Sequence, residues 1–513
     1  MTNASSVIKS LIIYTVCIPL AVFLGYLLTN PLDWGTFITF MLIGVVLAMP
    51  FILRFHYPIM MFFFNLGAVA FFLPGRPQTW LVGIAISYAI SLTHRILNKN
   101  VQPIRVGEIS RPLIALLIVV LVTAQMTGGI GFRVFGSSTF GGKRYFFMLV
   151  SILGYYAMVA QRIPVHKAAL YTGLFFLGGV TCVIGDLFSV IDPSFRYIFL
   201  FFPVYSLSGA PLELGVTRLS GVSAACGAVF SFMLARYGIR GIFLGGKPLR
   251  LLLFVGITGF GLFGGFRSYL MNCVMVFGLL FFMEGLHRTK LFPSFALLAA
   301  LGLALTVPFL SSFPMNIQRS LAFLPVPIDP MARKSAEMSS EWRLEIWKAV
   351  LPQVPQHLLL GKGLAMSASD YGATTMEESR ASADQWVAAL SGDYHNGPLS
   401  VVMTFGIWGV LVFFWLVIAS LKVLHNNYRY GDPALRTYNA LFLASYITKV
   451  FMFLFVVGSF YSEVTQFAGW LGFCIALNGG VARPVRTPLA TAKPEKEYVT
   501  VLPSTRPALS RGT

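Results

Sequence analysis

Apolar runs of about twenty residues follow one another along most of the chain, and each is long enough for a helix to cross the hydrocarbon of a bilayer. In lipid the backbone must satisfy its own hydrogen bonds, so consecutive runs of this length specify helices and leave no room for open sheets. The runs lie at about 7–29, 34–53, 57–74, 80–93, 112–130, 145–160 and 168–187, then at about 219–235, 249–266, 268–285, 291–309, 398–423, 438–458 and 460–477. They predict an all-α fold, a polytopic transmembrane helical bundle of about 12–14 spans. A further apolar piece at about 197–216 is broken by Pro203 and Pro211 and reads as a re-entrant or interfacial segment.

With 56% hydrophobic and only 11% charged residues, the chain is neither a disordered protein nor a disulfide-framed secreted one. Cys17, Cys182, Cys226, Cys273 and Cys474 all sit in apolar runs without ligand spacing, so they read as small buried hydrophobes, and no metal or cofactor is expected. The first run is of full span length and lacks a clear small-residue cleavage site, which fits an uncleaved first helix.

A net charge of +19 could suggest nucleic acid, but its distribution points to a membrane. The segment 310–397 holds nine acids against seven bases, net −2, which leaves +21 for the rest of the chain. Most of that surplus sits in the short connections 94–111, 162–167, 236–250, 287–290 and 425–436, where the positive-inside rule places cytoplasmic loops. Segment 310–397 then faces outside, and no nucleic-acid partner is needed. The last residues, 479–513, carry five prolines and six bases with little apolar periodicity, the composition of a disordered cytoplasmic tail.

The 88-residue stretch 310–397 is the one long hydrophilic excursion, and connections of that size are usually functional. From Glu341 the order EWRLEIWKAVLPQVP brings Arg343, Ile346, Trp347, Val350, Leu351 and Val354 to one face of an amphipathic helix, for which Ser340 offers an N-cap. Arg343 is then either an interfacial anchor or a buried anion ligand. Gly361-Lys362-Gly363 reads as a turn. The stretch ends at Asp393-Tyr394-His395-Asn396, where His395 is either a base at the membrane boundary or a plain interfacial residue. Arg267, deep in the apolar sequence GLFGGFRSYLMN, needs a partner: Glu284 or a backbone carbonyl within the protein, or the pyrophosphate of a lipid.

Taken together, Gly264-Gly265-Phe266-Arg267, Arg343-Leu344-Glu345-Ile346-Trp347, Gly361-Lys362-Gly363, His395-Asn396 and Gly406-Ile407-Trp408-Gly409 resemble the O-antigen ligase and O-antigen polymerase superfamily of polytopic membrane glycosyltransferases. The resemblance implies an enzyme of the bacterial inner membrane with its active site on the periplasmic face. It implies transfer of a glycan from an undecaprenyl-pyrophosphate carrier to the hydroxyl of a glycan or lipid A core acceptor, inverting and without a metal ion. Carried over by position, His395 is the base, and Arg267 and Arg343 hold the pyrophosphate. The chain then divides into N-terminal helices 1–257, a ligase- or polymerase-like region 258–478 that includes loop 310–397, and tail 479–513. The competing class is a flippase for the same lipid-linked oligosaccharide.

Overall fold

The structure is a computed structural model describing residues 14–484, apart from 16, 27–28, 30–32, 74, 101, 130–140, 193, 205–217, 367–391 and 457. The tail from 485, most of the 197–216 segment and the middle of the long external loop lie outside the described residues. Every named regular element is helical, and the pairing of Val69 with Gln78 is an isolated bridge.

The chain runs through α1 (Trp34–Leu47), α2 (Met49–Phe63), α3 (Thr79–Leu97), α4 (Gly107–Thr127) and α5 (Gly142–Met158). It continues with α6 (Val165–Ile191), α7 (Ser220–Phe243), α8 (Pro248–Phe260), α9 (Arg267–Met283) and α10 (Leu291–Thr306). The external segment contributes α11 (Met315–Ser320) and α12 (Pro330–Val350), after which α13 (Gly397–Tyr430), α14 (Arg436–Phe455) and α15 (Phe460–Asn478) close the bundle. α15 lies along α5, α13 packs on α4 and α14, and α7 contacts α6, α8 and α14. α10 is almost wholly exposed along its apolar length, a surface suited to lipid.

The protein is a multi-pass helical bundle. Seven described helices are long and apolar enough to cross a membrane, or eight if α1 and α2, bent by 83° at Ala48, form one span. Others are shorter: Pro248–Gly264 and Arg267–Met283 stay below the length test. Hydropathy counts apolar residues and cannot register a break such as the one before Pro50.

Below the external segment, Phe413 packs against Phe453 and Phe460 at ring separations of 5.0 and 5.5 Å. This aromatic floor supports the first half of α13, which Asn396 caps by accepting from the Leu399 amide at 3.0 Å. α13 is then interrupted at Gly406, whose backbone is left-handed at φ 62°. The carbonyls of Met403 and Thr404 accept instead from the amides of Lys362 and Gly363 at 2.6 and 3.1 Å, while the Ile407 amide donates to Leu358 at 2.7 Å. Gly361-Lys362-Gly363 is thus a backbone clasp that satisfies a broken membrane helix. Gly361 permits this approach, since a Cβ there would meet the Thr404 carbonyl at 2.2 Å.

A Cβ at Gly406 would lie 2.5 Å from the Leu359 carbonyl oxygen and would sit at an unfavourable φ. Gly406→Ala is therefore expected to destabilise the protein by about 2–4 kcal/mol, combining the backbone term with forced movement of the clasp. Thermal unfolding in detergent measures this, and an unchanged midpoint would refute the clasp.

Candidate functional site

Segment 310–397 brings four arginines together. The Gly261–Gly264 turn and the left-handed Gly265 lead into Arg267 at the start of α9, and Arg218 precedes α7, where the Leu219 amide donates to the Gly264 carbonyl at 3.1 Å. Arg319, on α11, is only 3% exposed; its Nη1 donates to the Gly265 carbonyl and its Nε to the Ser335 hydroxyl at 3.1 Å. Arg267 donates through Nη2 to the Ser340 hydroxyl at 3.1 Å. Less than one turn beyond Ser340, Arg343 has a buried Nε without a hydrogen-bond partner among the described residues.

These guanidiniums act on one another. Burial first, then the charges of Arg218, Arg267 and Arg343, push Arg319 down to about 9. Arg343 is also lowered, by burial and by Arg267 and Arg218, while Asp393 acts in the opposite direction. Burial and Arg267 lower Arg218. Like charges gathered in a partly buried place are unfavourable until an anion joins them, and guanidinium forks match phosphate geometry.

Asp393 links this cluster to His395. The His395 Nδ1 lies 3.3 Å from Asp393 Oδ1 and 3.4 Å from the Asp393 carbonyl oxygen. Assigning the ring proton to Nδ1 on these contacts leaves Nε2 as the free acceptor. Burial raises the Asp393 carboxyl, but hydrogen bonds and charge from His395, with the charge of Arg144, outweigh it and hold the group below its ordinary value. Arg144 comes from α5, with its guanidinium carbon 5.5 Å from the Tyr461 ring centre.

His395 has φ 49°, in the left-handed region that non-glycine residues rarely occupy. Such backbone costs of order 1–3 kcal/mol and persists where the surroundings over-determine it. Here α12 supplies those surroundings. Trp342 meets the imidazole edge-on at a ring separation of 5.0 Å, and Trp347 Nε1 donates to the Tyr394 carbonyl at 2.8 Å. Ile346 and Val350 bury against Tyr394, Leu399 and Met403. One helix therefore braces Arg319 through Ser335, holds Arg267 through Ser340, presents Arg343 and packs against the histidine loop.

The structure thus brings Arg267, at the start of α9, together with Arg343 and His395 of segment 310–397. It removes Glu284 as the partner of Arg267: the two stand at opposite ends of α9, roughly 25 Å apart along the axis. Glu284 instead accepts from the amides of Ile239 and Arg240 at 2.7 and 3.0 Å, where α7 is broken at Gly238. The amphipathic helix begins eleven residues before Glu341, because Asp329 caps it, accepting from the Met331 amide at 2.7 Å, and Pro330 is preset for the first turn. Ser340 is therefore mid-helix, and Leu351 is exposed.

Arg218, Arg319 and Arg144 were not singled out from the sequence. Arg319 carried the same signal as Arg267, an arginine between apolar stretches on the same side, whereas Arg218 and Arg144 precede apolar runs and resemble ordinary interfacial residues.

Residues 251–414 match the family model Wzy_C, O-Antigen ligase. This part of the chain is an O-antigen ligase domain. The comparison with curated proteins gives no match. The ligase domain contains Arg267, Arg319, Arg343 and His395, while Arg218 and Arg144 are supplied from outside it. The match supports a membrane enzyme of the glycan-transferring ligase or polymerase kind, with lipid-linked glycans and acceptors as its general substrate class.

Proposed function

We propose that the protein transfers a glycan from an undecaprenyl-pyrophosphate carrier to an acceptor hydroxyl, as an O-antigen ligase or an O-antigen or exopolysaccharide polymerase, with inversion and without a metal ion. The observation that carries this reading is the convergence of Arg218, Arg267, Arg319 and Arg343 within electrostatic reach of one another beside His395. Region 258–478 is the catalytic part, 1–257 contributes supporting helices, and the site faces the periplasm from the bacterial inner membrane.

In the reaction, neutral His395 takes the acceptor proton on Nε2 as the acceptor oxygen forms a bond to the anomeric carbon. The bond from that carbon to the pyrophosphate oxygen breaks on the opposite face, and its electron pair leaves on the carrier. Asp393 keeps the Nδ1 proton in place and favours the imidazolium that forms. The arginines stabilise charge growing on the leaving group, as oriented donors in a partly dry site do most effectively. Charge neutralisation by guanidiniums serves the purpose for which many phosphoryl sites use a metal ion.

Incubation of the purified protein with an undecaprenyl-pyrophosphate oligosaccharide and an acceptor tests this reading. Free undecaprenyl pyrophosphate and an inverted anomeric linkage in the product are expected. Intact lipid recovered on the opposite leaflet would favour the flippase instead. Trp347→Phe, which removes the bond to the Tyr394 carbonyl, is expected to lower turnover about fivefold with donor affinity unchanged, equivalent to about 1 kcal/mol. Unchanged turnover in that variant would show that α12 does not position His395.

A further inference from the structure

The opposite end of the N-terminal helices carries a separate cavity of about 190 Å³. It lies where α3 ends, α4 begins and α5 ends, and its wall includes Ser91, Arg95, Arg105, Ser110 and Tyr156. Arg144 and Tyr156 belong to the same helix, α5, and are roughly 18 Å apart along its axis, so the cavity is distinct from the arginine and histidine site.

Its chemistry is that of an anion site open to lipid. Arg95 and Arg105 are exposed, and among the described residues neither is within ion-pairing distance of a carboxylate. The Ser91 hydroxyl is buried with no hydrogen-bond partner among the described residues. The volume is too small for a nucleotide sugar but suits a headgroup. Its height is also suitable, because α3 and α4 are both candidate spans and the cavity is at their ends. From Ser110, the positions Ile114, Ile118 and Leu121 follow at four, four and three residues, hence on one face of α4, and all three are exposed. This apolar track runs from the cavity into the depth of the membrane.

We propose that this cavity binds the phosphate headgroup of an anionic membrane phospholipid, with Arg95 and Arg105 on the phosphate, Ser91 as a neutral donor and an acyl chain along the Ile114, Ile118 and Leu121 face. The acyl track distinguishes a lipid from a free phosphate, since a soluble anion would gain nothing from it. Arginines near a bilayer surface contribute enough for roughly a fivefold change in affinity each.

Native mass spectrometry of the detergent-purified full chain, with phosphatidylglycerol, phosphatidylcholine and inorganic phosphate offered separately, tests the proposal. Phosphatidylglycerol is expected to bind in preference to phosphatidylcholine, and inorganic phosphate to leave no adduct. Arg95→Gln and Arg105→Gln should each weaken phosphatidylglycerol binding roughly fivefold. Arg111→Gln, on α4 but outside the cavity wall, should leave it unchanged. Ala160→Leu should fill the cavity and reduce binding with both arginines intact. Equal loss in Arg111→Gln would mean diffuse surface charge, and binding of inorganic phosphate as tight as that of lipid would mean a soluble anion. Undiminished lipid binding in Ala160→Leu would place the lipid elsewhere. Each of these three results overturns the proposal.

Discussion

His395→Gln is expected to lower turnover by about a hundredfold or more, the usual contribution of a positioned general base. The glutamine amide keeps a hydrogen-bonding side chain beside Asp393 and Trp342 but cannot take a proton at neutral pH. His395→Asn sharpens the test. Asparagine tolerates positive φ better than most residues, so relief of the backbone at φ 49° should preserve or raise the unfolding midpoint while activity is lost. A base held in strained backbone gives this opposite response of stability and rate; a structural histidine does not. His357→Ala, on the short turn Val354–His357, is the control expected to behave as wild type.

The second large effect belongs to the arginines. Arg343→Lys keeps the charge but removes the fork, and among the described residues Arg343 Nε has no hydrogen-bond partner to lose. Donor affinity should fall by about tenfold or more, the worth of one charge-assisted hydrogen bond. Arg267→Lys should do the same while also weakening the contact to Ser340. Arg319→Lys should be the most damaging, since one ammonium cannot serve both Gly265 and Ser335 and still face an anion. Lys348→Ala, exposed on α12 with Arg343, is expected to be silent. Lysine variants of Arg267 and Arg343 that bind donor normally at normal membrane levels would remove the pyrophosphate from this place.

The bundle was legible because lipid makes hydropathy a direct reading of which backbone must be helical, and α13, α14 and α15 fall close to their apolar runs. The number of spans was less legible. The bend at Ala48 and the short α8 and α9 come from local geometry and packing, to which a sum of apolar residues is blind. α12 was visible through its apolar half from Trp342 onward, but its first half is polar, and the Asp329-Pro330 start gave no periodic signal. Arg267, Arg343 and His395 stood out as polar residues at membrane depth or at its edge. That Ser335 and Ser340 would each hold one of the arginines depends on α12 meeting α11 and the start of α9, a long-range fact. The left-handed backbone of His395 was equally hidden, since Tyr394 and Trp347 impose it from different parts of the chain.

The proposed site divides its labour: guanidiniums hold the donor and His395 moves the proton. Donor affinity and single-turnover rate measured on the same preparations of His395→Gln and Arg343→Lys test it most directly, using an undecaprenyl-pyrophosphate oligosaccharide in detergent. His395→Gln is expected to bind donor as tightly as wild type and to turn over about a hundredfold more slowly, while Arg343→Lys loses affinity about tenfold or more. His395→Gln that retains full turnover, or that loses donor binding as severely as Arg343→Lys, would contradict it.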